Sequence, residues 1–202
     1  MDIFEVRRKI FHMAGGIGII ALIYFGVLNA LILVFLILFM VFLSLLSTSH
    51  KIPVLDYLLD KLERPRYRHT FPMKSMIFFV AGALIVLALF SREIAIASLV
   101  ILTLGDGFSA LIGIHYGRIK HPFSNIKFIE GNIAGVMAAS IGIMLMYMLK
   151  LTAIWPLHAF IASSLAMFFE GIEIKWGWDA IADDNITIPL ISGAILWLFS
   201  VL

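Results

Sequence analysis

A single carboxylate, Asp106, lies within a long apolar stretch that is otherwise free of charge from residue 94 to 117. Inserting a carboxylate into a membrane-spanning helix costs about 2.5–3.5 kcal/mol, so such a residue needs a partner and usually has a function. Asp106 is therefore a candidate metal ligand or general base. Because Asp106→Asn removes an inserted charge, we expect it to do little harm to folding. A small-residue stripe surrounds it, which close helix packing alone would explain: Gly105, Ser109, Gly113 and Gly117.

The N-terminal segment carries a second group of reactive side chains. Arg8, Lys9 and His12 are spaced three and four residues apart, so they lie together on one side of a helix. Such a cluster could hold phosphate oxygens. It could equally anchor the helix to lipid headgroups at the inner membrane surface.

A third group occupies residues 118–131, where basic and acidic side chains alternate. Lys120, Lys127 and Glu130 would suit a phosphate chain that carries a divalent cation. Mg²⁺ prefers one or two carboxylates together with phosphate oxygens and water. An ordinary solvated loop would have a similar composition.

The fourth group, Asp183, Asp184 and Asn185, precedes the last apolar run. Two carboxylates beside an amide could bind a metal ion, and Glu170 could join them across the intervening loop. Alternatively, Asp184 or Asn185 could cap the following helix. Pro189 falls early in that helix, where proline is tolerated better than in the middle.

These groups must be positioned by membrane-spanning helices. Hydrophobic residues make up 62% of the 202 and charged residues only 14%, whereas about a quarter of a typical soluble domain is charged. About 20 apolar residues cross the hydrocarbon core as a helix, and lipid allows few alternatives to helices. We predict an all-α membrane protein with a turn between residues 26 and 29 and about seven spans, near 11–27, 29–47, 74–91, 94–116, 131–149, 152–169 and 186–202.

The distribution of Lys and Arg predicts the orientation of these spans. Only Arg92 and Lys150 fall on one side, which places the N terminus in the cytosol and the C terminus outside. The whole chain, 1–202, is expected to form one membrane domain, with an amphipathic helix in the interface near 53–64. The other thirteen cations fall on the predicted cytosolic side: Arg7, Arg8, Lys9, Lys51, Lys61, Arg64, Arg66, Arg68, Lys74, Arg118, Lys120, Lys127 and Lys175.

Several function classes are excluded by what the sequence lacks. It has no GxxxxGK[ST], GxGxxG, HExxH or GxSxG motif and no cysteine. Its cytosolic charge is mixed in sign and divided among short loops, which argues against nucleic-acid binding. A small transporter with Asp106 as its ion site stays open, although no internal repeat supports it.

Taken together, the four groups resemble the CTP-dependent lipid kinases, a family that includes dolichol or polyprenol kinase, phytol kinase and yeast-type diacylglycerol kinase. Four short family elements match in order. They are RKxxH at Arg8, Lys9 and His12; GDAxAxxxG at Gly105, Asp106 and Gly113; KSxEGS at Lys127, Glu130 and Gly131; and a DNLTVP-like element at Asp184, Asn185, Thr187 and Pro189. The chain departs from these patterns at Gly107 and Ser109, which replace alanines, and at Phe128 and Asn132, which replace serines.

The resemblance implies transfer of the γ-phosphoryl group of CTP to the hydroxyl of a membrane lipid at the cytosolic face, with Mg²⁺ as cofactor. A polyprenol, dolichol or related isoprenoid alcohol is the expected acceptor, and diacylglycerol is an alternative. The membrane would be the cell membrane of a prokaryote or the endoplasmic reticulum of a eukaryote. A cytidylyltransferase that forms a CDP-lipid is the rival enzyme.

The same resemblance implies roles for individual residues. The expected catalytic residues are Asp106, Asp184 and Lys9, and the expected metal ligands are Asp106, Glu130 and Asp184. The expected nucleotide and phosphate contacts are Arg8, His12, Gly105, Gly113, Lys127, Gly131, Asn185 and Thr187.

Overall fold

The computed structural model describes residues 3–172 and 183–202, and Lys175, one of the predicted cytosolic cations, lies outside them. Regular structure in the described residues is helical, apart from one isolated antiparallel bridge between Lys120 and Phe128. The helices are α1 (Ile3–Tyr24), α2 (Ala30–Ser49), α3 (Pro53–Leu62), α4 (Pro65–Arg68), α5 (Lys74–Leu89), α6 (Arg92–Val100), a π-helical segment (Ile101–Asp106), α7 (Gly107–Tyr116), α8 (Ile129–Met148), α9 (Pro156–Glu170) and α10 (Asp184–Val201).

The described residues confirm the predicted all-α architecture with several apolar helices. Four helices of the described residues are long and apolar enough to cross a membrane: α2, the continuous helix Arg92–Tyr116, α8 and α10. The shorter α5 is also apolar. Each of the seven predicted runs coincides with a helix, because α1, α5 and α9 occupy the remaining three. The number of spans and their sidedness stay predictions.

The continuous helix Arg92–Tyr116 forms the centre of the molecule. It is the most buried of the four candidate spans, and α1, α8 and α10 pack around it. Its residues Leu99, Ile101 and Leu102 are fully enclosed. A carboxylate at position 106 therefore lies in the protein interior and not against lipid.

Small residues allow α7 and α8 to approach each other closely. A Cβ atom on Gly131 would lie 2.6 Å from the carbonyl oxygen of Ser109, and one on Gly135 would lie 2.6 Å from that of Gly105. Both distances are too short for a real contact. The small-residue stripe is therefore a helix-packing surface, as its spacing predicted.

The predicted turn between the first two apolar runs is also confirmed. Gly26 has a φ of +77°, a conformation that favours glycine, and the side chain of Asn29 caps α2 by accepting from the amide of Ile32 at 3.0 Å. Arg92 donates to the last carbonyls of α1, including that of Ile23. The positive charge of Arg92 stabilises the C terminus of α1, which gives a structural reason for a cation on the predicted outer side.

The amphipathic segment forms α3. Leu59 is buried, whereas Val54 and Tyr57 are 75% and 65% exposed. Asp56 and Arg68 form an ion pair with an O–N distance of 2.8 Å that ties α3 to α4. The segment is thus helical, and its position in the membrane interface stays a prediction.

The orientation can be tested with two matched lysines in exposed positions. The native chain has no cysteine, so Lys120→Cys and Lys150→Cys each introduce a single thiol. An impermeant thiol reagent should label Lys120→Cys only from the cytosolic side and Lys150→Cys only from outside, because positive charge is retained on the cytosolic side. Labelling of intact and permeabilised cells measures this, and the reverse pattern would refute the orientation.

Candidate active site

The four groups found in the sequence converge at one end of the molecule, where α1, α8 and α10 begin and α7 ends; we call it the charged end. The central contact joins α1 to the π-helical segment. The Nζ of Lys9 lies 2.6 Å from each carboxylate oxygen of Asp106, and both residues are buried. Asp106 is the last residue of the π-helical segment, and such segments often occur at functional sites.

His12 lies one turn further along α1 on the same side. Its Nε2 is 3.6 Å from Asp106 Oδ2, and its ring packs edge-on against Phe79 with 5.1 Å between centroids. The Nε2 atom is buried and has no hydrogen-bond partner among the described residues. His12 therefore presents an unsatisfied polar atom beside the carboxylate.

Lys127 joins two further elements to this centre. Its Nζ lies 2.7 Å from Glu170 Oε1 at the end of α9 and 3.1 Å from Asp184 Oδ2 at the start of α10. It also donates to the backbone carbonyl of Glu170 at 2.5 Å. Burial opposes the charged form of Lys127, but the two carboxylates outweigh it and raise the pKa of this amine above its ordinary value.

Three carboxylates meet between these two lysines. Oxygens of Asp106, Glu170 and Asp184 all lie within 4.8 Å of one another. Like charges at this distance repel, so the group needs nearby cations, which Lys9 and Lys127 supply in the structure. Oxygen donors at this spacing suit a hard divalent cation.

The predicted third metal ligand, Glu130, lies elsewhere. Glu130 lies in the first turn of α8, and its carboxylate accepts from the backbone amides of Arg118 and Ile119, at the start of the preceding loop, at 3.1 Å each. Glu170 occupies the place in the carboxylate group that Glu130 was expected to fill. The sequence had indicated Glu170 only as a residue that could join across a loop.

In the last group, one aspartate caps the helix and the other joins the carboxylate group. Asp183 is the residue that caps α10, since its Oδ1 accepts from both the backbone and the side-chain nitrogen of Asn185. Neither Asp184 nor Asn185 serves as the cap, which leaves Asp184 for the carboxylate group. Asn185 Oδ1 is buried without a partner among the described residues, and Thr187 Oγ1 donates within its own helix to the carbonyl of Asp183.

A polar cavity of about 330 Å³ opens beside this centre. The sequence analysis missed three cations that line it, Arg64, Arg66 and Lys74. The segment from the end of α3 to the first residue of α5, which contains all three, had been used only to orient the chain. Its high density of Lys and Arg was the available signal. Arg8 also lines the cavity, although it is paired with Glu5 at 2.7 Å.

The glycines expected to contact nucleotide serve mainly in packing. Gly131 lies in the α7–α8 contact. Gly105, in the π-helical segment, faces Gly135 of α8, and a Cβ on Gly105 would also approach the sulfur of Met167. Gly113 faces Gly131 across the α7–α8 contact. Ser109, where the family pattern has alanine, donates to Glu170 Oε2 at 3.4 Å.

Comparison with known proteins gives relatives that are themselves lipid kinases. The chain is 26% identical to CTP-dependent diacylglycerol kinase 1 of Saccharomyces cerevisiae, over 95% of the chain and 72% of that protein. It is 29% identical to the phytol kinase of Synechocystis, over 96% of the chain and 78% of that enzyme. It is 30% identical to the probable chloroplastic phytol kinase 1 of Glycine max, over 61% of the chain and 42% of that protein.

These relatives confirm the resemblance to the CTP-dependent lipid kinases. They also bear out the prediction of a kinase with an alcohol group as acceptor. Their names mention diacylglycerol and phytol, and none mentions the expected polyprenol or dolichol. No protein-family profile and no solved structure matches the chain.

The Lys9–Asp106 pair changes the expected effect of Asp106→Asn on folding. Because the carboxylate is paired, its removal strands a buried ammonium, and loss of one partner of a buried pair costs about 3–5 kcal/mol. We therefore expect a clear fall in the thermal midpoint in detergent, contrary to the expectation from the sequence. Adding Lys9→Met should restore most of the loss, since both charges are then gone.

The matched control is Asp60→Asn, which removes an exposed partner of Arg68 and should cost about 1 kcal/mol or less. If the double variant were no more stable than Asp106→Asn alone, the pair would not be the reason for the loss.

Proposed function

We propose that this protein transfers the γ-phosphoryl group of CTP to the hydroxyl of a membrane lipid, at the cytosolic face of the membrane. The observation that carries the proposal is the convergence of Asp106, Glu170 and Asp184 beside a cation-lined cavity. Phosphoryl transfer needs mainly positioning and neutralisation of charge, which such a centre supplies. Among the relatives, the CTP-dependent diacylglycerol kinase supports the donor, and it and the phytol kinase support the acceptor class.

The cavity has the chemistry of a triphosphate site. Arg8, Arg64, Arg66 and Lys74 line its wall, and Lys9 and Lys127 lie at its base. One guanidinium group can bind two phosphate oxygens at once, whereas a lysine acts as a point charge on a flexible side chain. We assign the phosphates of CTP to this cavity, with the γ-phosphate nearest the carboxylates.

The residues present fit a magnesium ion. Mg²⁺ is usually held by one or two carboxylates with substrate phosphates and water, and Asp106 and Asp184 both line the phosphate cavity. The unsatisfied Asn185 Oδ1 lies in the same wall. When bound, the ion would neutralise charge on the β- and γ-phosphate oxygens. We propose Asp106 and Asp184 as its ligands, with Glu170 in place of Glu130 as the third carboxylate.

The chain's own residues then account for the remaining chemistry. The lipid hydroxyl oxygen forms a bond to the γ-phosphorus, the bond from that phosphorus to the bridging oxygen breaks, and CDP leaves with the electron pair. The hydroxyl proton passes to one of the three carboxylates. Lys9 and Lys127 stay within reach of the transferred group and offset its charge.

The donor and the product distinguish this function from its rivals. In purified protein, CTP and Mg²⁺ with a panel of diacylglycerol, phytol, geranylgeraniol and polyprenol should yield a phosphorylated lipid and CDP, and chelation of Mg²⁺ should abolish turnover. ATP should be a poor donor. Thin-layer chromatography of labelled lipid and nucleotide measures both products. Release of pyrophosphate would instead indicate a cytidylyltransferase, and no transfer to any alcohol would refute the kinase.

The role of the three clustered carboxylates can be tested by comparing two glutamates, one inside the cluster and one outside it. Glu170→Gln keeps the shape of a buried member of the group, so it should lower turnover by about 100-fold, the scale of a lost acid–base group. Glu130→Gln alters a carboxylate whose hydrogen bonds, among the described residues, are to loop amides, and it should change turnover far less. Turnover at saturating CTP, with thermal stability measured alongside, gives the comparison. A larger loss of turnover in Glu130→Gln than in Glu170→Gln would instead favour Glu130 as the third carboxylate, as the sequence predicted.

A further inference from the structure

A second cavity, also of about 330 Å³, adjoins the phosphate cavity at the carboxylate centre. Six charged residues line both of them: Arg8, Lys9, Arg64, Asp106, Lys127 and Asp184. Glu170 lines only the second. The two cavities therefore meet at the same charged side chains and extend from them in different directions.

The walls of the second cavity differ in chemistry from those of the first. They include Ala110, Gly113, Ile114, Ile126 and Phe128, where the phosphate cavity has Arg66, Lys74 and Asn185. Ile114 and Ile126 are 43% and 72% exposed at the rim. An apolar wall thus leads from the surface to buried charge; we call this second cavity the acceptor groove.

Helix geometry explains why the wall is continuous. Asp106, Ala110, Gly113 and Ile114 are spaced so that they lie along one face of a helix. The face extends roughly 12 Å from the carboxylate, at 1.5 Å per residue. It begins at the reactive group and ends near the end of α7 at Tyr116.

The groove exists because two helices fail to pack there. The glycine-rich side of α7 packs closely against α8, whereas contact between α7 and α1 is sparse. The part of α1 that lines the groove consists of Glu5, Arg8 and Lys9. Charged side chains cannot close against an apolar helix face without losing their polar partners, so a gap remains.

We propose that the acceptor groove binds the lipid alcohol, with its hydrocarbon chain along Ala110, Ile114 and Phe128 and its hydroxyl facing Glu170 and Asp106. This assignment rests on the proposed function for the identity of the ligand. A long-chain alcohol matches the groove, because it is apolar along its length and polar at one end. CTP then occupies only the phosphate cavity, and the two substrates meet at the charged side chains that line both cavities.

Single cysteines test occupancy without any turnover. Ile114→Cys places a thiol in the groove, and Ile133→Cys places one on α8 outside it, also near the charged end. Each variant is treated with a membrane-permeant maleimide in detergent micelles, with phytol or with phytane, the saturated hydrocarbon that has the same branched carbon skeleton but no hydroxyl. At ten times its dissociation constant, phytol should slow the reaction of Ile114→Cys about tenfold, by the factor 1 + [L]/Kd.

The reaction of Ile133→Cys should not change, and phytane should protect neither thiol. Equal protection of both thiols, or no protection of Ile114→Cys, would overturn the assignment. Protection of Ile114→Cys by CTP in place of phytol would assign the groove to the nucleotide and overturn it as well.

A kinetic measurement provides the second test. Ala110→Leu narrows the groove one helical turn from Asp106. It should raise the KM for the lipid alcohol about tenfold or more and leave the KM for CTP nearly unchanged, because a rise in the KM for one substrate reflects weaker binding of that substrate. A rise in the KM for CTP alone would overturn the assignment. Protection without turnover in the native protein would refute the kinase and keep the alcohol site. Turnover without protection would refute the groove alone.

Discussion

The buried ion pair between Lys9 and Asp106 determines the arrangement of the charged end. A carboxylate in the centre of an apolar molecule is costly unless a cation reaches it. Lys9 reaches it from 97 positions away in the chain, with two contacts of 2.6 Å. The pair therefore fixes the height of α1 against the central helix. That position in turn brings Arg8 and His12 to the same centre.

Lys127 neutralises carboxylates in the same way on the opposite side of the centre. Lys127 holds the ends of α9 and α10 together through Glu170 and Asp184. Three carboxyl groups face two ammonium groups at this centre, so its acidic groups outnumber its lysines. Such a centre attracts a divalent cation, and the arginines around the cavity wall offset the additional charge of a phosphate chain. In the proposed reaction, the groups that stabilise the fold also supply the electrostatics of phosphoryl transfer.

In the proposed assignment, the two cavities divide the substrates by polarity. Arg66 and Lys74 line only the phosphate cavity, whereas apolar side chains of α7 and of the loop before α8 line only the acceptor groove. A water-soluble nucleotide and a lipid alcohol have opposite solvation requirements, so a single cavity could not suit both. The close α7–α8 packing contributes indirectly, because it holds the apolar face of α7 open toward α1.

The sequence by itself determined the features that depend on local pattern. Uncharged runs of sufficient length predicted the helices, Gly26 to Asn29 predicted a turn, and the isolated charge of Asp106 required a partner. The tertiary structure decided which partners meet. Lys9 is the partner of Asp106, Asp183 is the helix cap, and Glu170 lies beside Asp106 and Asp184 while Glu130 does not. The cations Arg64, Arg66 and Lys74 line the cavity. Electrostatic energy depends on distances of a few ångströms between helix ends. Helical periodicity fixes the face on which a residue lies, but not which other helix that face meets.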